Sequence, residues 1–436
     1  MPVPQQGSGL REHTLHWALP ESEDPGYHAG KSKTLQYGIQ GATPMLDVAK
    51  SAIPFDTKHL DRLMDEAGID VLVANSKHNI QYLLGGHRSI FFDYMDAMGI
   101  SRYLPILVYP KGEPERAAFF GHRLETHQRE VRPFWTPEGN TNSAGTLDAT
   151  ERAAEYVRKL GLKGKQVGVE MAFLPADAAA ALASGLPGSE IKNALFVLER
   201  LRAKKRPEEL ALLRKASELV VDSMKATMAK AVPGMTKAEL FETLRREEVN
   251  RGLTFEYLLL TAGTSLNRAP SDYKLAKGDI MSLDSGANYH GYIGDLCRMA
   301  ILGEPDAELE DLLGEIEMVQ RAAMQPIKAG APASVIYGVG DPLVHKSKNA
   351  EHLHFLAHGM GLVSHEAPRL TNRMGYDAYD ADRPLEAGMV ISVETTLQHP
   401  RRGFIKLEDT VAVTDTGFEI YGEGGRGWNR AGTALQ

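Results

Sequence analysis

The chain has 436 residues, 43% hydrophobic and 24% charged, the composition of a soluble globular protein long enough for two domains with cores of their own. Its 49 basic and 57 acidic residues leave a net charge of −8, which argues against nucleic acid as the main partner, because phosphate binding needs a basic surface. One cysteine, Cys297, excludes an internal disulfide framework. With no secretory apolar core in Met1 to Pro20 and no apolar run long enough for a membrane span, it points to a cytoplasmic protein.

Residues 1–53, rich in Gly, Pro, Ser and charge, read as an N-terminal extension. From 54 to 200 helix and strand alternate, which predicts an α/β domain. A helix over 56–67 carries the apolar stripe Leu60, Leu63 and Met64. Val71-Leu72-Val73 follows as a strand, then the run Asn79 to Leu84; further strands are expected at Tyr103 to Tyr109, Ala117 to Gly121 and Gln166 to Val169. Helices are expected over Thr150 to Leu160 and Ala176 to Ala183. Asn193 to Arg206 reads as a hinge, with Arg202, Lys204, Lys205 and Arg206 as a solvated basic face. A second domain then occupies 201–436. Pro207 starts its first helix, and Glu208 and Glu209 in the first turn offset the helix dipole. Leu210, Leu213, Val220, Met224 and Met228 mark the buried face. A second helix runs from Thr236, its cap with Glu239, to Arg251, and a third from Asp306 to Ile327.

Residues 280–284 alternate as a strand ending at Asp284, Ala287 to Gly294 reads as a hairpin turn, and Asp295 opens the next strand. Two antiparallel strands would therefore set Asp284 beside Asp295. His358 stands among glycines that let backbone approach closely, and Glu394 and Glu408 each end or interrupt an apolar strand. Four carboxylates and one imidazole suit two hard-to-borderline divalent cations. Without metal, so many like charges in one cleft would repel. Cys297 reads as core and not as a nucleophile, since nothing near it in sequence would activate a thiol.

These segments resemble the metal-site motifs of the pita-bread metallopeptidases: methionine aminopeptidase, Xaa-Pro aminopeptidase, prolidase and the related creatinase. The matches are Asp284 to Asp295, the run His358-Gly-Met-Gly-Leu-Val-Ser-His365-Glu, and Glu394 with Glu408 in Leu-Glu-Asp-Thr-Val. The resemblance is strong over about 206–425 and weaker over 54–205. It implies an N-terminal creatinase-like α/β domain followed by a pita-bread α+β catalytic domain. It also implies a ligand set of Asp284, Asp295, His358, Glu394 and Glu408 for two ions, manganese first, with cobalt, zinc or iron possible. Asp295 and Glu408 would bridge the ions, and Glu394 would also take the proton of the attacking water. His365 would donate a hydrogen bond to the scissile carbonyl, or else cap the turn Glu366-Ala367-Pro368. Relatives of this kind are homodimers, so Ile90-Phe91-Phe92-Asp93-Tyr94-Met95 is either a wall lent to the neighbour's site or a core strand.

The pattern departs from the family in three places. No histidine lies upstream of Asp284 in Thr261 to Lys277, where Asn267 and Arg268 stand instead as candidate substrate contacts. Glu394 is followed by Thr395-Thr396 in place of Pro-Gly. Lys406 replaces an arginine, and a lysine cannot make the bidentate fork. The expected activity is a metal-dependent Xaa-Pro peptidase, prolidase or aminopeptidase, acting on small peptides. The alternative is a same-fold enzyme of a small non-peptide molecule, through ectoine-like ring hydrolysis or dimethylsulfoniopropionate-like cleavage. A silent binding protein of this fold would have lost ligands that are all present here.

Overall fold

The computed structural model describes residues 52–88, 104–127, 133–162, 164–373, 375 and 377–432. The expected wall Ile90 to Met95, and the extension up to residue 51, lie outside the described residues.

Chain order begins with α1 (Thr57–Ala67), capped by Asp56, whose carboxylate accepts from His59 N. Leu60, Leu63 and Met64 are its buried stripe. Then come β1 (Val71–Ala74), α2 (Lys77–Leu83), β2 (Ile106–Pro110), β3 (Ala118–His122), β4 (Glu138–Ser143), α3 (Thr146–Lys159), β5 (Gln166–Val169), α4 (Ala176–Gly185) and β6 (Glu190–Asn193). Among the described residues these strands form a sheet in the order β4-β3-β2-β1-β5-β6. It is mixed: β1, β5 and β6 run parallel, whereas β2 is antiparallel to both neighbours. The run from Asn79 to Leu84 belongs almost wholly to α2, which starts where the Ser76 hydroxyl accepts from Asn79 N.

Part of the expected hinge is a packed helix. Leu195–Leu201 forms helix α5, with Val197, Leu198, Glu199 and Leu201 buried. Of the basic face expected to be solvated, Arg202 and Lys205 are buried, at 3% and 4% exposure. Both point at one buried carboxylate, Glu366, which offsets their desolvation. Sequence spacing along 202–206 carried no sign of that distant partner.

The second half contains α6 (Pro207–Lys230), α7 (Lys237–Asn250), α8 (Ala307–Met324) and α9 (Val335–Lys346). Thr236 and Glu239 form the expected capping box. Strands β7 (Thr254–Ala262), β8 (Ile280–Tyr289), β9 (Tyr292–Ile301), β10 (Leu353–Gly359), β11 (Val390–His399) and β12 (Gly403–Val413) form an antiparallel sheet in the order β10-β11-β12-β9-β8-β7. Short strands β13 (Phe418–Tyr421) and β14 (Asn429–Arg430) pair with β12 and β9. The β8–β9 hairpin is longer than its glycines suggested: pairing continues to Tyr289↔Tyr292, and only His290-Gly291 turn. Gly291 has φ +97°, and a side chain there would strike Gln81 of α2. Tyr292 and Ile293 join the hydrophobic core of α1 and β1, so burial against the first sheet extends the hairpin.

Candidate metal centre

The register of the second sheet explains why five residues spread over 125 positions meet. Side chains on one face of a sheet recur every second residue. Reading across the strands, Leu259, Asp284, Cys297, Glu408, Glu394 and Leu356 are successive partners in one row. In the adjoining row Gly286 pairs with Asp295, and Ser392 pairs with Thr410 and His358. The Thr410 hydroxyl donates to Asp295 O at 3.2 Å, which joins that row across β9 and β12. All five expected ligands therefore lie on one face, in two neighbouring rows. Cys297, small and fully buried, holds the row position between Asp284 and Glu408 and lets both carboxylates lean over it. Burial pushes its thiol well up, as its reading as core required.

Asp295, His358 and Glu408 bring ligand atoms within 4.8 Å of one another. His358 Nε2 is 3.7 Å from Glu408 Oε1 and 3.9 Å from Glu394 Oε1. Two of the carboxylates are braced by hydroxyls: Ser392 Oγ donates to Glu408 at 2.7 Å, and Ser364 Oγ donates to Asp295. Behind the site, buried Arg298 donates to Glu408 O at 2.8 Å and to Asp409 Oδ1 at 2.7 Å, fixing β12 from its far face. This donor set, oxygen-rich with one imidazole and nearly free of solvent, fits a divalent cation.

Burial, Lys406 and His358 set the charges of the cluster. Burial raises Asp284 and Glu394 above the ordinary carboxylate range and pushes Asp295 up to about 8. Glu408 shares that burial, but Lys406 and His358 outweigh it and hold it below the usual range. Burial pulls His358 down, yet Glu408, Glu394 and Asp295 prevail and lift it to about 9. Lys406 Nζ sits among three carboxylates, 2.7 Å from Asp284 Oδ2, 2.8 Å from Glu408 Oε2 and in contact with Glu394. It pairs with more than Glu408, the partner its place two residues away suggested.

His365 lies with its ring stacked on His358, centroids 3.8 Å apart. Burial, reinforced by His358, lowers it to about 3, so its imidazole is neutral at pH 7. Arg268 reaches the same cleft, bonded to Asp284 and 5.0 Å from the Phe404 ring centroid. Asn267 is exposed, and its amide oxygen accepts from Ala269 N at 2.8 Å, forming a local turn beside Arg268. The cleft lined by Asp284, Asp295, His358, Glu394 and Glu408 has a volume of ≈ 560 Å³, with Leu259, Leu356 and Phe404 as apolar wall. Ser364, Ser392 and Tyr257 were not legible as site residues. Tyr257 bonds Asp295 and is pushed well up by burial and the neighbouring carboxylates. Only the position of Ser364 directly before His365 hinted at a role.

The chain matches the model of metallopeptidase family M24 over residues 211–415 and that of the creatinase/prolidase N-terminal domain over 57–204. An uncharacterized peptidase of Bacillus subtilis is 24% identical over 366 residues, covering 82% of this chain and 95% of that protein. A Xaa-Pro dipeptidase of Pyrococcus furiosus is 26% identical over 234 residues, 52% of this chain and 65% of that one. Among solved structures, a Xaa-Pro dipeptidase from Bacillus anthracis superposes with a TM-score of 0.70 at 23% identity, covering 84% of this chain and 97% of its own. An X-Pro aminopeptidase from Thermotoga maritima gives 0.68 at 20%, covering 86% and 99%. These structural likenesses establish the fold: a creatinase-like α/β half followed by a pita-bread half.

Proposed function

We propose that this chain, which belongs to metallopeptidase family M24, a family of metal-dependent hydrolases, is a cytoplasmic, homodimeric Xaa-Pro peptidase of the dipeptidase or aminopeptidase type. It would use two divalent cations, manganese first, with cobalt, zinc or iron as substitutes. Residues 1–53 would be an extension, 54–200 the creatinase-like domain and 201–436 the catalytic domain. The observation that carries the reading is the convergence of Asp295, His358 and Glu408, with Glu394 beside Glu408 and Asp284 across Cys297 from it on the same face. Relatives that bear peptidase names give it its substrate class.

Asp295 and Glu408 would hold both cations, Asp284 one, and His358 with Glu394 the other. A divalent cation supplies Lewis acidity and acidifies water at the site toward neutral pH. Glu394 accepts the proton of the attacking water. His365, neutral at pH 7, donates its N–H to the carbonyl oxygen as negative charge grows there. Once Asp284 serves as a ligand, the Arg268 guanidinium on the cleft wall can take a substrate carboxylate, with the Asn267 amide beside it.

A second reading, hydrolysis or cleavage of a small non-peptide molecule, draws on Arg268 standing where relatives place a histidine that contacts peptide. The experiment is hydrolysis of Xaa-Pro peptides, from dipeptides to pentapeptides, by metal-stripped protein restored with Mn, Co, Zn or Fe. Metal-dependent cleavage lost in Glu394→Ala is the expected result, and peptide length separates dipeptidase from aminopeptidase. No cleavage by protein shown to hold metal would transfer the assignment to the small-molecule enzyme.

A further inference from the structure

The loop that carries Ser364 and His365 is held from inside by a carboxylate that the chemistry above does not use. Glu366 is 1% exposed. Its Oε2 accepts from Val363 N at 3.1 Å and from Arg202 Nε at 3.1 Å, and its Oε1 accepts from Lys205 Nζ at 3.0 Å. The backbone of Glu366 donates to Gly359 O at 2.9 Å, so side chain and main chain together close the segment 359–366 on itself. Gly361 makes room for this: a Cβ there would lie 2.3 Å from Glu366 Oε1 and 2.7 Å from Lys205 Cε. Consecutive residues thus divide the work. Ser364 and His365 turn toward Asp295 and His358, while Glu366 turns into the protein.

The anchor reaches back to the first sheet. Arg202 also donates to the Asn79 side chain on α2, whose amide in turn donates to Glu170 at the end of β5. Glu170 is itself fixed by Asn75 N at 2.6 Å and Ser76 N at 2.9 Å. The alternating charges Glu170, Arg202, Glu366 and Lys205 are all buried, and each has an opposite charge or an amide as partner. Such a chain is costly to disturb and so holds one geometry.

We propose that Glu366 is a positioning residue: clamped by Arg202 and Lys205, it sets the orientation of His365 and Ser364, so that the N-terminal half helps to shape the active site through Asn79 and Arg202. The proposal rests on the reading of His365 as a substrate contact. It is tested by a double-mutant cycle of Glu366→Gln and His365→Ala on the metal-loaded full chain, with metal content measured for each variant. Glu366→Gln should lower kcat/KM about tenfold, the lower end for residues that orient a site. In the His365→Ala background it should change kcat/KM by no more than about twofold, the usual limit of additivity. An equal loss in both backgrounds, or no loss in either, overturns the proposal. If Glu366→Gln does not fold, Asn79→Ala takes its place in the same cycle. If the wild type cleaves no peptide, the proposed function fails and hydrogen exchange of the 359–367 backbone decides this one separately. Faster exchange there in Glu366→Gln or Asn79→Ala, with β10 and β11 unchanged, supports the clamp; unaltered exchange overturns it.

Discussion

Replacing Lys406 by methionine removes one positive charge from the centre of the carboxylate cluster while keeping an unbranched side chain one atom shorter. In the metal-free protein the ammonium contacts Asp284 at 2.7 Å, Glu408 at 2.8 Å, and Glu394. It is 6% exposed, so water cannot replace it. One charge pair at about 4 Å is worth about 4 kcal/mol at an effective dielectric constant of about 20. Removal of one partner from a buried ion pair costs about 3–5 kcal/mol. Three contacts do not triple this, because carboxylates left alone take up protons; burial already inclines Asp284, Asp295 and Glu394 that way. A domain of this size shifts its melting temperature by about 2–4 °C per kcal/mol, so metal-free Lys406→Met should melt about 6–20 °C below metal-free wild type. The deficit should be larger at pH 8 than at pH 5, where protons neutralise the cluster. Excess Mn²⁺ should remove most of it, since the cation's charge replaces the lost ammonium. Scanning calorimetry with and without chelator measures all three effects. If the metal-free proteins melt within about 2 °C of each other at pH 8, Lys406 does not neutralise the cluster and the reasoning fails.

His365→Ala should lower kcat on an Xaa-Pro substrate by about 10²–10³ with metal content unchanged, the usual loss for one oxyanion donor; steady-state kinetics with metal analysis checks it. His358 is raised to about 9 in the metal-free fold, so its stabilising contribution is complete below the unfolded value near 6.5 and disappears as pH rises through about 9. Metal binding needs the neutral ring, so calorimetric titration should show tighter Mn²⁺ binding and less proton release at pH 9 than at pH 7. Cys297, fully buried with its thiol pushed up, should react with a thiol reagent only after denaturant unfolds the sheet; rapid labelling of native protein would contradict its place beneath Asp284 and Glu408.

Elements with strong local signals were legible in the sequence. The stripe of α1, the capping box of Thr236 and Glu239, and the start of α6 at Pro207 all come from residues within a turn or two of each other. The hairpin turn was placed too broadly, because both Gly291 and Gly294 looked like turn residues; Tyr292 and Ile293, buried against the first sheet, keep the strands paired to the tip. The reading of a solvated basic face failed for a related reason. Arg202 and Lys205 look solvated until Glu366, more than 150 positions away, is brought against them.

The order and type of Asp284, Asp295, His358, Glu394 and Glu408 were determined by the sequence itself, since chemistry limits which side chains bind divalent cations and strand periodicity limits which face they share. Tertiary structure alone decided that Lys406 stands among those carboxylates, that His365 stacks on His358, and that Glu366 ties their loop to Arg202 and Asn79. A candidate ligand set is written in residue types along the chain. The partners of a buried charge are chosen by which distant strands and helices pack together, and local spacing carries no record of that.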